Sequence, residues 1–247
     1  MRRLYLEPAE LTTGEGGEVR LTGPRARRLR EVLRLRAGGA LAVFDGLGHE
    51  HEASVVSMQA TSVVLAIGSV LASLPEPPVS VVLACAFPRA ARGDWLVEKA
   101  TEVGVARLIP LDTDRSVMRP GDGRLARWQR IAIEAAEQCG RALVPAIGGE
   151  VPADATVIVG DPDAALTIRA CLASLVAPPS SVALYIGPEG GWTADELAVL
   201  DARGALRCSL GPRLMRVETA AIVAAAQVIE ATGGLAPVSG VRAQTWL

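Results

Sequence analysis

The amino-acid sequence predicts an α/β protein whose parallel sheet is preceded by a small β-rich domain. From about residue 79 onward, apolar strands alternate with helices, which is the pattern of a largely parallel sheet. Before residue 72, short strands follow one another closely. The stretch Ser73–Val79 between them has three prolines in four residues, which favours an extended linker. We therefore expect a β-barrel domain over residues 1–72 and an α/β domain over residues 79–247.

The sequence of the N-terminal segment predicts short strands with one basic helix among them. The turn Asp45-Gly46 lies between two apolar runs and predicts a hairpin over Gly39–Met58. Further strands are expected at Gly17–Gly23 and Thr61–Gly68. The segment Pro24–Arg36 repeats its apolar residues at helical spacing and carries arginines on its other faces, so it predicts a helix.

The C-terminal segment alternates strands and helices. A buried strand at Val81–Phe87 precedes a predicted helix at Gly93–Val105, and an amphipathic helix is expected at Arg127–Gly140. The order strand, turn, helix then occurs three more times, beginning at Thr156, Ser181 and Ala205. This alternation is typical of strands that lie parallel in one sheet.

Composition excludes several classes of function. Apolar runs fall short of the roughly 20 residues that a membrane span needs, and no signal peptide precedes the first strand. The four cysteines are far apart, which favours reduced thiols in a cytoplasmic protein. Lys99 is the only lysine, so a P-loop is absent. With only His49 and His51 available, neither a zinc site nor a Ser-His-Asp triad is expected.

Positive charge is clustered although the net charge is −2. Arginine supplies 24 of the 25 basic residues, and six of these lie between Arg25 and Arg36. A bias toward arginine is also what genome composition alone would produce. The clustering favours a surface that contacts phosphate backbones, because local patches rather than net charge attract nucleic acids.

Two glycine-proline segments near the C-terminus are the most informative motifs. IGPEGGWTADEL runs from Ile186 to Leu197, and SLGPRLMRVETAAIVAAAQVI runs from Ser209 to Ile229. Each places an apolar strand, a sharp turn and a helix start in that order. Two such loops at the end of a sheet form a pocket lined by backbone.

The sequence allows three interpretations of this pocket. An ordinary strand-to-helix turn is the simplest, with Thr193 and Glu196 as a capping box. A phosphate ligand is a second, because helix N-termini attract anions, but Glu189 would repel it. A neutral heterocycle such as adenine, bound by backbone N–H and C=O groups, fits the loop better.

Reactive side chains follow the second glycine-proline turn. Arg216 and Glu218 form either a local ion pair, worth at most about 1 kcal/mol if exposed, or a pair that points into the pocket. In the second case a guanidinium and a carboxylate can orient and polarise a substrate.

These motifs resemble the RsmE family of knotted SPOUT methyltransferases. The resemblance includes GPEGGWTADEL, LGPRLMRVETA, the segment Trp95–Val117 and the segment Arg127–Arg141, and it extends over essentially the whole chain. It implies a SPOUT-type parallel sheet with a C-terminal trefoil knot and an N-terminal PUA-like β-barrel. It also implies methylation, from S-adenosylmethionine, of N3 of a uridine in small-subunit (16S) ribosomal RNA, within the assembled subunit. A cytoplasmic homodimer without membrane or metal is expected.

The resemblance also implies site residues. The expected cofactor-binding residues lie in three loops: Val159, Gly160, Ile186, Gly187, Pro188, Glu189, Gly190, Gly191, Leu210, Gly211, Leu214, Met215 and Arg216. Arg216 and Glu218 are the expected catalytic residues, with Arg216 stabilising the imide anion and Glu218 orienting Arg216 or accepting the proton. The expected RNA-binding residues are arginines: Arg2, Arg3, Arg25, Arg28, Arg30, Arg89 and Arg92.

Two departures from the family pattern stand out. Ala91 replaces an acidic residue, and Val217 stands where threonine is common. Two alternatives remain open from the sequence. One is a related SPOUT enzyme acting on another RNA or on the ribose 2′-hydroxyl, and the other is a non-catalytic RNA-binding assembly factor.

Overall fold

The computed structural model describes residues 1–11 and 16–238. The chain forms two compact units. The first contains residues 1–76, 97–102 and 120–148, and the second contains the rest of the described chain. In chain order the elements are β1 (Arg3–Tyr5), α1 (Pro8–Leu11), β2 (Glu18–Thr22), α2 (Gly23–Arg27), β3 (Ala40–Phe44), β4 (Glu50–Met58), β5 (Ser62–Val70), β6 (Ser80–Cys85), α3 (Ala91–Val103), β7 (Arg107–Pro110), α4 (Asp122–Cys139), β8 (Ala146–Ile147), β9 (Thr156–Gly160), α5 (Ile168–Ala173), β10 (Ser181–Ile186), α6 (Ala194–Ala202), β11 (Leu206–Cys208) and α7 (Val217–Ala231).

The first unit is built on a five-stranded sheet in the order β1-β3-β4-β5-β2. The predicted hairpin is confirmed, because β3 and β4 pair antiparallel on either side of the Asp45-Gly46 turn. Alternate residues of the strands point into one apolar core, which also receives Leu29 and Leu35. The short strand β1, which the sequence did not predict, pairs parallel with β3.

The basic helix is shorter than expected. Helix α2 continues into a π-helical turn at Arg28–Val32, and the helix therefore ends before Arg36. Arg34 then adopts a left-handed conformation, with φ of 50°. The reason is packing. Leu35 follows Leu29 by six residues, and in a continuous α-helix the two side chains would lie on different faces. The break in the helix lets both side chains enter the same core.

The second unit contains parallel strands in the order β11-β9-β10-β6-β7. Every pairing along this series is parallel, which confirms the α/β class. All six residues of β10 are buried, so both faces of this central strand are covered. Helix α6 contributes Leu200 to the core over one face, and α7 contacts β6 and β10.

Two helices begin earlier than the sequence predicted. Helix α3 begins at Ala91 rather than Gly93, and α4 begins at Asp122 rather than Arg127. The added residues are two at the start of α3 and five at the start of α4, and segments this short are too brief to show helical periodicity. In the described part of the chain no helix is long and apolar enough to cross a membrane. The four cysteines are free thiols in the structure.

Candidate active site

Three strand-to-helix connections of the second unit enclose a cavity of about 590 Å³. They follow β9, β10 and β11, whose carboxyl ends lie side by side at one edge of the sheet. Ligands bind at this edge in open α/β sheets, and the volume is that of a small-molecule site. The lining residues come mainly from these loops: Gly160, Asp161, Pro162, Asp163, Ile186, Gly187, Pro188, Glu189, Gly190, Gly191, Trp192, Leu210, Gly211, Pro212, Arg213, Leu214 and Met215, with Arg115, Leu197, Val217 and Ala220.

Trp192 joins two of the three loops. Its indole Nε1 donates a hydrogen bond of 3.1 Å to the carbonyl of Gly160, the last residue of β9. The ring also lies against Gly187, where a Cβ atom would come within 2.9 Å of Trp192 Cε2. Glycine is therefore required at residue 187 by close approach, and Trp192 sets the spacing of the two loops.

Arg115 closes another side of the same cavity. Its Nη1 donates a hydrogen bond of 2.6 Å to the carbonyl of Gly190, and its aliphatic stem packs on that glycine. A Cβ at residue 190 would lie 3.1 Å from Arg115 Cδ. The segment after β7 thus supports the loop after β10.

The predicted capping box at the start of α6 is confirmed. Thr193 Oγ1 accepts from the Glu196 backbone N–H, and the Glu196 carboxylate accepts from the Thr193 N–H at 2.7 Å. The Asp114 N–H also donates to Glu196, at 3.0 Å. Burial raises the pKa of Glu196, but these N–H donors outweigh it and hold the pKa below its usual value.

Glu218 is a buried carboxylate beside the cavity. It lies in the first turn of α7, is 6% exposed, and is flanked by the lining residues Val217 and Ala220. Its Oε1 lies 3.7 Å from Arg92 Nη1, and the same nitrogen lies 3.5 Å from Glu189 Oε1. Within residues 1–11 and 16–238, Glu218 Oε2 has no hydrogen-bond partner.

Arg216 behaves differently from the sequence expectation. Its side chain is exposed at the N-cap of α7, and in the described chain it makes no ion pair. The local pair between Arg216 and Glu218 is therefore absent, and Arg92 is the arginine near the buried carboxylate. Residues two apart near a helix start do not face each other, which explains the difference.

Most of the residues expected to bind a cofactor line the cavity, with two exceptions. Val159 is fully buried inside β9, and Arg216 is not among the lining residues. Sequence reasoning missed Asp161 and Asp163, although both lie within three residues of the end of a predicted strand. It also missed Trp192 and Arg115, and nothing in the local sequence around Arg115 points to a loop some 75 residues away.

The arginines expected to bind RNA occupy varied surroundings. In the first unit, Arg25 binds Glu10 with two hydrogen bonds of 2.7 and 2.9 Å, and Arg28 pairs with Glu137 at 2.5 Å. These arginines are thus already engaged in ion pairs.

Of the other arginines expected to bind RNA, some contact carboxylates or carbonyl groups of the protein and some are exposed. Arg3 pairs with Glu50 and lies over the Phe44 ring, 4.8 Å from its centroid. Arg30 donates to the Ala60 carbonyl, Arg89 donates to the Val117 carbonyl at 2.6 Å, and Arg2 is exposed.

No metal centre is indicated among the described residues, which contain no group of three or more His, Cys, Asp or Glu side chains suited to hold an ion. The candidate site is therefore a backbone-lined cavity with one buried carboxylate beside it. Such a cavity suits an organic ligand that carries both apolar and polar groups.

Comparison with known proteins defines the class. Residues 75–229 match the family described as an RNA methyltransferase domain. The ribosomal RNA small subunit methyltransferase E of Synechocystis is 33% identical over 92% of this chain and 76% of its own length. The chain belongs to the ribosomal RNA small subunit methyltransferase E (RsmE) family.

Solved structures agree with this assignment. A putative methyltransferase from Legionella pneumophila, in complex with bound S-adenosylmethionine, has a TM-score of 0.80 and 33% identity, covering 93% of this chain and 97% of its own. The ribosomal RNA small subunit methyltransferase E from Neisseria gonorrhoeae, bound to S-adenosylmethionine, has a TM-score of 0.79 and 30% identity, covering 92% and 96%.

Proposed function

We propose that this protein methylates N3 of a specific uridine in small-subunit ribosomal RNA, with S-adenosylmethionine as methyl donor. The observation that carries the proposal is the backbone-lined cavity at the ends of β9, β10 and β11 with the buried Glu218 beside it. Membership of the RsmE family supports both the RNA substrate and the cofactor.

The residues present fit S-adenosylmethionine. Gly187 and Gly190 both line the cavity and carry no side chain, so a ligand can contact the backbone there. Asp161, Asp163 and Glu189 carry negative charge at the cavity, which suits the sulfonium and ammonium groups of the cofactor. The three loops, including most of the residues predicted from the sequence, would hold it.

Bound S-adenosylmethionine supplies an electrophilic methyl group on its sulfonium. Uridine N3 is a weakly acidic imide nitrogen that becomes a good nucleophile when its proton leaves. The free Oε2 of Glu218 is the acceptor we assign to that proton. Arg216 has an exposed guanidinium with no ion pair in the described chain, and we assign it to stabilise the negative charge that develops on the base.

RNA binding is assigned to arginine contacts with phosphates. Such contacts position a nucleic acid without reading its sequence. The target base must be unpaired or flipped to reach a cavity of this kind. Because Arg3, Arg25 and Arg28 already hold carboxylates, RNA would have to displace Glu50, Glu10 and Glu137 to use them fully.

Several finer features remain part of the proposal. We propose two domains, at residues 1–72 and 79–247, with the first a PUA-like barrel and the second a SPOUT domain with a trefoil knot. We also propose a homodimer acting on the assembled small subunit, and hence a cytoplasmic protein. Family membership supports these features, and the five-stranded first sheet is compatible with the barrel.

The test is nucleoside mass spectrometry of ribosomal RNA from cells lacking the protein. We expect N3-methyluridine to disappear from the small-subunit RNA and to return when the wild-type gene is restored. Restoration with Glu218→Gln should give little or no methylated nucleoside. Undiminished N3-methyluridine in the deletion strain would refute the assigned reaction.

A further inference from the structure

Arg92 lies between two carboxylates that belong to different loops. Its Nη1 is 3.5 Å from Glu189 Oε1, in the loop after β10, and 3.7 Å from Glu218 Oε1, at the start of α7. Glu189 lines the cavity, whereas Glu218 is buried beside it. One guanidinium thus links the cofactor loop to the carboxylate that we assign as proton acceptor.

The environment of Glu218 makes a counter-charge important. A buried carboxylate is unfavourable unless it is paired or hydrogen-bonded. The N-terminus of α7 provides favourable partial charge to a first-turn carboxylate. Among the ion pairs of the described residues, Arg92 is the cation within 4 Å of Glu218.

Arg92 attracts the Glu189 and Glu218 carboxylates electrostatically but forms no hydrogen bond with either of them. Both distances exceed the 2.7–3.2 Å of an ordinary N–H···O hydrogen bond. Arg92 therefore does not occupy the lone pairs of Glu218, and the buried Oε2 has no hydrogen-bond partner among the described residues. An arginine that bound this carboxylate bidentately would compete with the substrate instead.

The backbone before Arg92 is held in an unusual conformation. Ala90 has φ of 55°, in the left-handed region that residues other than glycine rarely adopt. The Gly93 N–H donates to the Ala90 carbonyl at 3.1 Å and closes this turn. Strain of this kind is often retained where it directs a functional side chain.

We propose that Arg92 is a positioning residue that orients the Glu218 carboxylate and connects it, through Glu189, to the loop lining the cofactor cavity. The inference rests on the proposed function of Glu218. It replaces the assignment of Arg92 to phosphate binding that the sequence suggested.

A double-mutant cycle in methylation kinetics tests this role. Arg92→Met should lower kcat about tenfold or more while changing KM for RNA less than about threefold, because the group acts through Glu218 and not on the RNA. Arg92→Lys should recover part of kcat. In a Glu218→Gln background, Arg92→Met should change the remaining kcat by less than about threefold. Arg169→Met is the matched control, because Arg169 also pairs with a glutamate, Glu230, outside the cavity lining.

The same cycle measured by thermal unfolding does not depend on activity. Arg92→Met should lower the melting temperature by about 2–4 °C, since it leaves a buried carboxylate without its cation. The same substitution in Glu218→Gln should have almost no effect on melting. This measurement decides the Arg92–Glu218 coupling even if the protein methylates no ribosomal RNA, which would refute the proposed function separately.

Three results would overturn the inference. One is a raised KM for RNA with an unchanged kcat, which indicates a phosphate contact. Another is a double mutant whose loss of kcat equals the product of the two single-mutant losses, which would indicate that Arg92 and Glu218 act independently. The third is an Arg92→Met substitution that lowers the melting temperature equally in the wild-type and in the Glu218→Gln background.

Discussion

Replacing Gly187 with alanine tests whether Trp192 sets the shape of the cofactor cavity. The added Cβ would lie 2.9 Å from Trp192 Cε2 and 3.1 Å from its Nε1, both shorter than ordinary van der Waals contact. Gly187 is not among the glycines with positive φ, so backbone strain plays no part. The indole must therefore move, and its 3.1 Å hydrogen bond to the Gly160 carbonyl must lengthen or break.

The cost follows from two effects. Forcing one extra carbon into a packed site costs about 1–3 kcal/mol. Losing the indole hydrogen bond costs about 1 kcal/mol more. For a protein of this size, each kcal/mol corresponds to about 2–4 °C in melting temperature, which predicts a decrease of roughly 4–16 °C. Because the loops after β9 and β10 both line the cavity, we expect affinity for S-adenosylmethionine to fall at least about tenfold.

Calorimetric titration with S-adenosylmethionine and thermal unfolding measure the two effects. Gly123→Ala is the matched control, because a Cβ there would meet nothing within 4 Å and Gly123 is not among the glycines with positive φ. Combining Gly187→Ala with Trp192→Leu should recover part of the stability by making room. A Gly187→Ala protein with wild-type melting and wild-type affinity would refute the argument that the indole determines the loop spacing.

Three other perturbations have expected outcomes of known sign. Ala90→Gly should stabilise the protein by up to about 1 kcal/mol in thermal unfolding, because relief of a left-handed alanine exceeds the added chain entropy; a lower melting temperature would contradict this. The lowered pKa of Glu196 means that its charge stabilises the fold above its ordinary pKa of about 4.5 and that this contribution is lost as pH falls through the folded value. Denaturant unfolding should therefore separate wild type from Glu196→Gln at pH 7, and the difference should shrink as the pH falls below 4.5, whereas a constant difference would exclude the charge as the cause. Arg28→Ala should cost about 1–3 kcal/mol in denaturant unfolding because it leaves the buried Glu137 without its cation. The control Arg27→Ala breaks an exposed ion pair and should cost less; equal losses would show that burial of the carboxylate is unimportant.

The sequence was sufficient for the features that are encoded locally. The Asp45-Gly46 hairpin, the capping box of Thr193 and the strand-to-helix order of the C-terminal segment all appear as expected. Each depends on residues close together in the chain, where turn chemistry and side-chain periodicity act directly. Helix limits were less accurate, as in the segment that ends at Val32, because core packing decided where it stopped.

The partners within the site were not predictable in this way. Arg115 reaches Gly190, Trp192 reaches Gly160, and the guanidinium of Arg92 lies near Glu218 although more than 120 residues separate them in sequence. No periodicity or spacing encodes such contacts, because they exist only once parallel strands bring their carboxyl ends together.

By itself, the sequence determined the class of fold, the loops that form a backbone-lined cavity and the resemblance to the RsmE family. Only the tertiary structure decided which arginine accompanies Glu218. Arg216 is two residues away in the chain but exposed, whereas Arg92 arrives from the start of α3. The reason is physical: a buried carboxylate needs charge from groups that surround it in space, and proximity in sequence does not ensure that.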